Sequence, residues 1–216
     1  MSETIGLLEG MSTTRSIRRF TPDPIPDGLL RQVLEAATWA PSGTNAQNWR
    51  LLVVKDAEKR RRIGELYGEA FKQFYPADRL ETETDPARKR LLGGAVYLAE
   101  TMGTEPPVLV LFCRDNPTAG APAAAAANAR PWTRGSSVYP SVQNLLLAAR
   151  AVGLGGCLTT IHLRYEDEIK ALLDIPDDVD TYALVPLGYP RDRFGPLRRR
   201  PVEEVTHLDS WGEPLG

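Results

Sequence analysis

Arginine and hydroxyl side chains crowd a short stretch near the amino terminus. The segment TTRSIRRF, residues 13–20, places Arg15, Arg18 and Arg19 around Ser16, directly before the proline-punctuated TPDPIP. Guanidinium groups and a hydroxyl can converge on a phosphate or another delocalised anion through charge-assisted hydrogen bonds. The stretch therefore predicts either an anion-binding site or a surface cluster of salt bridges, and its residues alone do not decide between the two.

A second stretch is rich in side-chain amides. PSGTNAQNW, residues 41–49, holds Ser42, Gly43, Asn45, Gln47 and Asn48 at the joint between a helical pattern and a strand pattern. Amides donate to and accept from a planar polar ring, and glycine permits close approach of the backbone. Three amides are more than an ordinary Asn-capped turn requires, which favours a binding role.

Glycine punctuates a third stretch, GLGGCLTT, residues 153–160. Its glycines do not form the dinucleotide-binding G-x-G-x-x-G pattern, because Leu158 occupies the last glycine position and no strand precedes the segment. The pattern instead predicts a helix stop at Gly153 and a glycine-tight entry into a strand.

Composition limits the functions that these stretches can serve. The chain has 216 residues, of which 42% are hydrophobic and 25% charged, which is typical of a single domain spanning residues 1–216. A net charge of −2 provides no overall attraction to nucleic acid or to an acidic membrane. No stretch approaches the roughly 20 apolar residues that span a bilayer. We therefore predict neither a nucleic-acid partner nor a membrane partner.

Cysteine and histidine usage argues against several kinds of site. Cys113 and Cys157 form neither a C-x-x-C motif nor a disulfide framework, which favours a reducing, cytoplasmic location. His162 and His207 have no cysteine or carboxylate at metal-ligand spacing. We therefore predict no metal site and no histidine-based triad, and we expect both histidines to be exposed or hydrogen-bonded.

Hydrophobic periodicity predicts irregularly alternating helices and strands. Helical patterns cover residues 27–40, 57–74, 88–103, 136–153 and 164–175, and strand patterns cover residues 49–56, 107–115, 155–161 and 181–189. Asp27 is the expected N-cap of the first helix, and Ser136 or Ser137 that of the fourth. The order of elements indicates an α+β domain, three-layered α/β/α, with a mixed central sheet flanked by helices.

Two segments fall outside these patterns. Residues 116–135, NPTAGAPAAAAANARPWTRG, predict a long loop. This loop is either an active-site cover, in which Trp132 could reach a ligand, or a disordered surface excursion. The carboxy-terminal tail is too polar to form a core element alone, so it either frays or extends over a partner subunit.

In order and spacing, the three motif stretches resemble the nitroreductase superfamily of FMN-dependent oxidoreductases. Its members open with R-S-x-R-x-F, continue with P-S-x-x-N-x-Q-x-W and carry a GLG turn late in the chain, and the similarity runs from Thr14 to the RRRPVEEV tail. The resemblance implies a homodimer with FMN bound at the subunit interface. It also implies that a carboxy-terminal extension, about residues 198–216, wraps the partner.

The resemblance also implies which residues bind FMN. From one subunit they are Arg15, Ser16 and Arg18, and from the other Pro41, Ser42, Asn45 and Gln47. Arg18 would lie near flavin N1 and O2, where a cation raises the reduction potential. The segment beside flavin N5 matches Leu158, Thr159 and Thr160, and a phosphate-binding position matches Arg199.

The implied activity is hydride transfer by a ping-pong mechanism. NAD(P)H reduces the flavin at N5, and a planar electrophilic acceptor such as a nitroaromatic or a quinone then reoxidises it. No catalytic residue is required from the protein, because the cofactor carries the reaction. Alternatives are dehalogenation, flavin fragmentation or substrate dehydrogenation by a family relative, or flavin binding and storage without turnover. The sequence does not choose between NADH and NADPH.

Overall fold

A four-stranded sheet forms the centre of the computed structural model, which describes residues 5–76, 78–116 and 133–215. Its strands, in the spatial order β1-β2-β4-β3, are β1 (Trp49–Val54), β2 (Val108–Asp115), β3 (Gly155–Gly156) and β4 (Val179–Gly188). All three neighbouring pairs in this described sheet are antiparallel, whereas the sequence predicted a mixed sheet. Apolar runs predict that strands exist, but long-range connections decide their direction.

Helices cover both faces of this sheet. They are α1 (Leu7–Thr13), α2 (Asp27–Thr38), α3 (Ala57–Phe74), α4 (Arg79–Thr82), α5 (Pro86–Thr101), α6 (Val138–Ala151) and α7 (Glu166–Leu173). The five predicted helices are confirmed within a few residues at each end, whereas the short helices α1 and α4 were not predicted. None of the helices in the described ranges combines the length and the apolar character that crossing a membrane requires.

Side chains of β2 alternate between two cores. Leu109 and Leu111 pack with α3, α5 and α7, whereas Val110 and Phe112 pack with α2 and α6. Successive residues of a strand point to opposite faces, so a strand buried on both faces requires helices on both sides. The predicted α+β class and its three layers are confirmed.

The helix ends differ in part from prediction. Helix α2 begins at Asp27 and its N-cap is Pro26, so the expected cap is wrong by one residue. The Asp27 carboxylate instead pairs with Lys55, and this hydrogen bond lowers the pKa of Asp27. Ser137 occupies the N-cap position of α6 without making a capping bond. Gly153 stops α6 in the left-handed region, at φ 81°, as predicted.

The strand predicted over residues 155–161 is much shorter in the structure. Only Gly155–Gly156 pair as a strand, followed by a single bridge between Thr159 and Leu184. The Thr159 hydroxyl accepts a hydrogen bond from the Ile161 amide at 3.4 Å, and the chain turns there into a 3₁₀ helix. Of the predicted long loop, residues 117–132, including Trp132, lie outside the described ranges.

Candidate functional site

Backbone hydrogen bonds bring three distant stretches of the chain together. The amide of Ile17 donates to the carbonyl oxygen of Gly156 at 3.0 Å. The amide of Leu197 donates to the carbonyl oxygen of Ser12, also at 3.0 Å. The arginine stretch therefore lies between the glycine stretch and the segment that leads to Arg199.

Three arginines of this region lack a carboxylate partner. Within the described ranges, Arg15, Arg18 and Arg199 form no ion pair. Arg15, Ser16 and Arg199 are exposed and Arg18 is half-buried. Arg18 lies along α5, where a Cβ atom built on Gly94 would be 3.6 Å from its Cδ atom and 3.7 Å from Nη1. Arg199 Nη1 donates to the Arg198 carbonyl oxygen at 2.9 Å, but the other donors of its guanidinium, like those of Arg15 and Arg18, can bind an anionic ligand.

Arg19 has a different environment from Arg18. Its guanidinium lies 4.7 Å from the centre of the Tyr97 ring and 3.9 Å from Asp192. The Glu105 carboxylate accepts a hydrogen bond from the Phe20 amide at 3.4 Å and another from the Tyr97 hydroxyl. The contacts of Arg19 and Phe20 thus hold the end of the arginine stretch against Tyr97 and Glu105.

The Leu158–Thr160 segment exposes two backbone donors. Thr159 exchanges both backbone hydrogen bonds with Leu184, at 3.0 and 2.9 Å, and its hydroxyl lies 2.9 Å from that of Tyr67. The amides of Leu158 and Thr160, on either side, donate no hydrogen bond to any residue that the structure describes. They are therefore available to a bound ligand.

The amide-rich stretch folds into a strained turn. Thr44, Asn45 and Gln47 have φ angles of 53°, 55° and 47°, in the left-handed region that non-glycine residues rarely adopt. The Ser42 hydroxyl accepts from the Gln47 amide at 3.0 Å, and Asn45 Oδ1 accepts from Gln47 Nε2 at 3.2 Å. Pro41, at the start of the turn, is exposed. Backbone strain of this kind is typical of ligand-binding loops.

The amide-rich turn and the arginine stretch lie at opposite ends of α6. The Gly43 amide donates to the Ser137 hydroxyl at the amino-terminal end, at 3.3 Å. At the other end, Arg150 Nε donates to the Thr13 hydroxyl, also at 3.3 Å. The helix has 14 residues and is therefore about 20 Å long. A single chain does not bring the two halves of the predicted site together.

Sequence reasoning missed two residues that contact the predicted site. Tyr67 belongs to the buried face of α3 and reaches Thr159, while Gly94 of α5 lies against the Arg18 side chain. In the sequence, neither residue differs from an ordinary position in a helical pattern. Only their long-range contacts identify them.

The buried cysteines and the buried histidine near the sheet are not suited to act as nucleophiles or general bases. Burial raises the pKa of Cys113 to about 12 and that of Cys157 to about 11, so both thiols stay protonated at neutral pH. His162 is fully buried, and neither ring nitrogen has a hydrogen-bond partner among the residues that the structure describes. The expectation that His162 is exposed or hydrogen-bonded is therefore wrong, because nothing in its local sequence shows that the 3₁₀ helix turns it inward.

The arginine, amide-rich and glycine stretches all fall within one known protein family. The sequence pattern of the Nitroreductase family matches residues 11–189, which include the arginine, amide-rich and glycine stretches. The chain belongs to the nitroreductase family. The resemblance that the three stretches predicted is thereby confirmed.

Individual nitroreductase-family proteins are similar over nearly the whole chain. An NADH dehydrogenase of Thermus thermophilus is 34% identical over 212 residues, covering 95% of this chain and 98% of that protein. An iodotyrosine deiodinase of Thermotoga neapolitana is 30% identical over 192 residues, covering 88% and 90%. The crystal structure of an oxidised iodotyrosine deiodinase bound to FMN and 3-iodo-L-tyrosine has a TM-score of 0.69 and 26% identity, covering 91% of this chain and 96% of that one.

Proposed function

We propose that this chain is an FMN-dependent oxidoreductase that transfers a hydride from NAD(P)H to a planar electrophilic acceptor, such as a nitroaromatic or a quinone. The observation that carries the proposal is that backbone hydrogen bonds join the arginine stretch to the glycine stretch and to the segment before Arg199, in a nitroreductase-family fold. Arg15, Arg18 and Arg199 meet no carboxylate in the described ranges, and the Leu158 and Thr160 amides have no described acceptor.

The charges of the site fit FMN. In this proposal Arg199 binds the phosphate, while Arg15 and Ser16 bind the flavin beside it. Arg18 holds its guanidinium at flavin N1 and O2, where negative charge gathers on reduction. A half-buried cation is suited to this task because it is poorly screened by water and already positioned by its packing along Gly94. One phosphate-binding cluster and no adenosine-binding fingerprint favour FMN over FAD.

Backbone donors and amides complete the proposed site. In this proposal the amides of Leu158 and Thr160, which have no described acceptor, face flavin N5, with Thr159 held between them by its hydrogen bonds to Leu184. On the other side the ring meets the amide-rich turn, with Pro41, Ser42, Asn45 and Gln47. Side-chain hydrogen bonds hold the strained backbone of this turn in one conformation before any ligand binds. Such a pre-organised, strained turn supports a binding role.

The separation of the two halves supports a homodimer. Because α6 keeps the turn about 20 Å from the arginine stretch, a flavin that contacts both takes the turn from a second subunit. Helices α1, α2 and α6 also enclose a groove of about 370 Å³ that is lined mainly by apolar residues, including Leu7, Trp39 and Leu147. Burying such a surface favours association.

The tail is proposed to wrap the partner as an extension, about residues 198–216, of one domain spanning residues 1–216. Its backbone hydrogen bonds from residue 201 onward stay within the tail in the described ranges. Val202, Val205, Leu208 and Trp211 are exposed, and Trp211 is 92% exposed. Apolar side chains in a polar extension are best explained by a second subunit that covers them.

When bound, FMN would supply hydride transfer between NAD(P)H and the acceptor, which is the chemistry of a ping-pong reductase. The residues of this chain bind the ring, orient its N5 edge and set its potential through Arg18. Neither thiol acts as a nucleophile, because burial raises the pKa of both.

Two measurements test this proposal. Denaturing the purified yellow protein should release FMN, and release of FAD or failure to bind added FMN would refute the cofactor. Mixing the FMN-loaded protein anaerobically with NADH or NADPH in a stopped-flow instrument should bleach the flavin before any acceptor is added. Without bleaching by either nucleotide, the chain is not a reductase of this kind, and flavin storage becomes the better explanation.

Reductive dehalogenation is the second candidate, because the chain is 30% identical to an iodotyrosine deiodinase over 192 residues. A reduced enzyme supplied with an iodophenol or a nitroaromatic separates the two candidates. Iodide release together with flavin reoxidation supports dehalogenation, whereas reoxidation by the nitroaromatic alone supports the first proposal.

A further inference from the structure

We propose that Tyr67 is a positioning residue of the proposed FMN site: through Thr159 it fixes the segment that presents the Leu158 and Thr160 amides. The effect of Tyr67 on FMN rests on the proposed function. The positioning of the Leu158–Thr160 segment by Tyr67 concerns the protein alone and can be tested without a flavin. Tyr67 belongs to α3, whereas Thr159 follows β3, 92 residues later in the chain. One side-chain hydrogen bond therefore ties a helix to the segment proposed to lie beside N5.

The hydrogen bond between these two residues is buried. The Tyr67 hydroxyl lies 2.9 Å from Thr159 Oγ1, and the two residues are 3% and 8% exposed. Burial raises the pKa of Tyr67 to about 12, so the hydroxyl keeps its proton at all working pH values. Losing Thr159 would take this partner from the buried Tyr67 hydroxyl, and losing Tyr67 would leave Thr159 Oγ1 with only the 3.4 Å bond from the Ile161 amide, so the contact is costly to break.

Thr159 is held from every side. Its amide donates to Leu184 O at 3.0 Å, its carbonyl accepts from Leu184 N at 2.9 Å, and its hydroxyl accepts from Ile161 N at 3.4 Å. Its own amide therefore has no capacity left for a ligand. Thr159 thus acts on the flavin through its neighbours, whose amides are free.

Tyr67 also lies close to the proposed flavin-binding cation. Burial raises the pKa of both Tyr67 and Cys157, and the positive charge of Arg18 partly offsets this rise, so the guanidinium lies within electrostatic range of both side chains. The Tyr67–Thr159 contact is thus adjacent to both groups proposed to tune the flavin, namely Arg18 and the free amides. A change at Tyr67 is expected to alter the flavin without removing any residue that touches it.

The structural half is tested in the FMN-free, full-length protein. Tyr67→Phe and Thr159→Val each remove one hydroxyl and so break the hydrogen bond between the two residues. Hydrogen exchange of the Thr159 and Leu184 amides should then become roughly fivefold faster. Thr159→Ser keeps the hydroxyl and should restore slow exchange. Tyr165→Phe is the matched control, because it removes a similar but exposed hydrogen bond, from Gln73 Nε2 at 2.9 Å. Unchanged exchange in Tyr67→Phe overturns the inference.

The functional half is read from the midpoint potential of bound FMN. In oxidised FMN the N5 atom accepts a hydrogen bond from a backbone amide, whereas in reduced FMN it carries a hydrogen. Amides that are held less firmly therefore stabilise the oxidised ring less. Tyr67→Phe and Thr159→Val should therefore raise the potential, and the double variant should match Thr159→Val, which also removes the acceptor of the Ile161 amide. Thr159→Ser and Tyr165→Phe should equal wild type. A lower thermal midpoint with an unchanged or lowered potential would show a purely structural role. If wild type binds no FMN, the proposed function fails, while the exchange data still decide whether Tyr67 positions the segment.

Discussion

Ile17 and Gly155 are in such close contact that the glycine stretch has no room for a side chain. A Cβ atom at Gly155 would lie 2.6 Å from Ile17 Cγ1, and the Ile17 amide donates to the next carbonyl, that of Gly156, at 3.0 Å. Ile17 is fully buried and β-branched, so its side chain has little freedom to move. Gly155 thus allows the arginine stretch to pack against the glycine stretch, a contact that the sequence did not predict.

Gly155→Ala is expected to lower the free energy of unfolding by about 1–3 kcal/mol, the usual cost of overpacking a core. Urea denaturation of the FMN-free protein measures this change. Gly195→Ala is the control, because a Cβ atom there meets nothing within 4 Å. Equal stability of the two variants would contradict the close contact.

Thr44→Gly is expected to raise the free energy of unfolding by roughly 0.5–1 kcal/mol. Glycine adopts the φ of 53° freely, and the relief of strain exceeds the entropy that glycine loses on folding. Thr101→Gly, at the last residue of the right-handed helix α5, should instead destabilise the protein, because it also removes the hydrogen bond from Thr101 Oγ1 to the Tyr97 carbonyl oxygen. Destabilisation by both substitutions would show that Thr44 is unstrained.

Arg18→Ala should lower the midpoint potential of bound FMN by tens of millivolts. A lost charge-assisted interaction costs about 1.5–3 kcal/mol, and about 30 mV corresponds to 1.4 kcal/mol for a two-electron couple. Arg19→Ala should change the potential much less, because Arg19 faces Tyr97 and Asp192. Dye-coupled redox titration makes the comparison. Equal potentials for wild type and Arg18→Ala would place this arginine away from the ring.

A chain that ends at Pro201 should lose both dimerisation and FMN retention. It lacks the four exposed apolar side chains proposed to cover the partner, namely Val202, Val205, Leu208 and Trp211. A chain that ends at Trp211 keeps all four and serves as the control. Light scattering after gel filtration gives the mass, and flavin absorbance gives the retention. A shortened monomer with intact flavin would refute the exchanged tail.

His162 should make stability fall as the pH is lowered. Burial lowers the pKa of His162 from 6.5 to about 4, so below pH 6.5 the unfolded chain binds a proton that the folded chain does not. The stability present above pH 6.5 is lost progressively down to about pH 4, by about 3 kcal/mol at 1.36 kcal/mol per pH unit.

His162→Leu should remove this part of the pH dependence, so its unfolding free energy falls less steeply between pH 6.5 and 4. His207→Leu, at an exposed position, controls for the loss of a histidine. Urea denaturation at several pH values makes the comparison. Parallel curves for wild type and His162→Leu would indicate that the ring is protonated or hydrogen-bonded in the folded state.

Local sequence determined the elements and the family. The periodicity of residues 57–74 gave the bounds of α3, and the apolar run 107–115 gave β2 within one residue, because repeats of 3.6 and 2 residues record which side chains face a core. Gly153 predicted the end of α6 for an equally local reason, since glycine adopts the left-handed conformation more readily than other residues. The residue types of the arginine and amide-rich stretches identified the family without any coordinates.

Tertiary structure alone decided how those residues are arranged. Arg18 and Arg19 are identical neighbours in the sequence, yet the first lies along Gly94 without an ion pair in the described ranges and the second reaches Tyr97. Thr159 turns inward to Tyr67 across 92 residues of sequence. The length of α6 separates the two halves of the predicted site, and strand pairing made the sheet antiparallel. These outcomes depend on packing and hydrogen bonds between distant segments, which no local periodicity encodes.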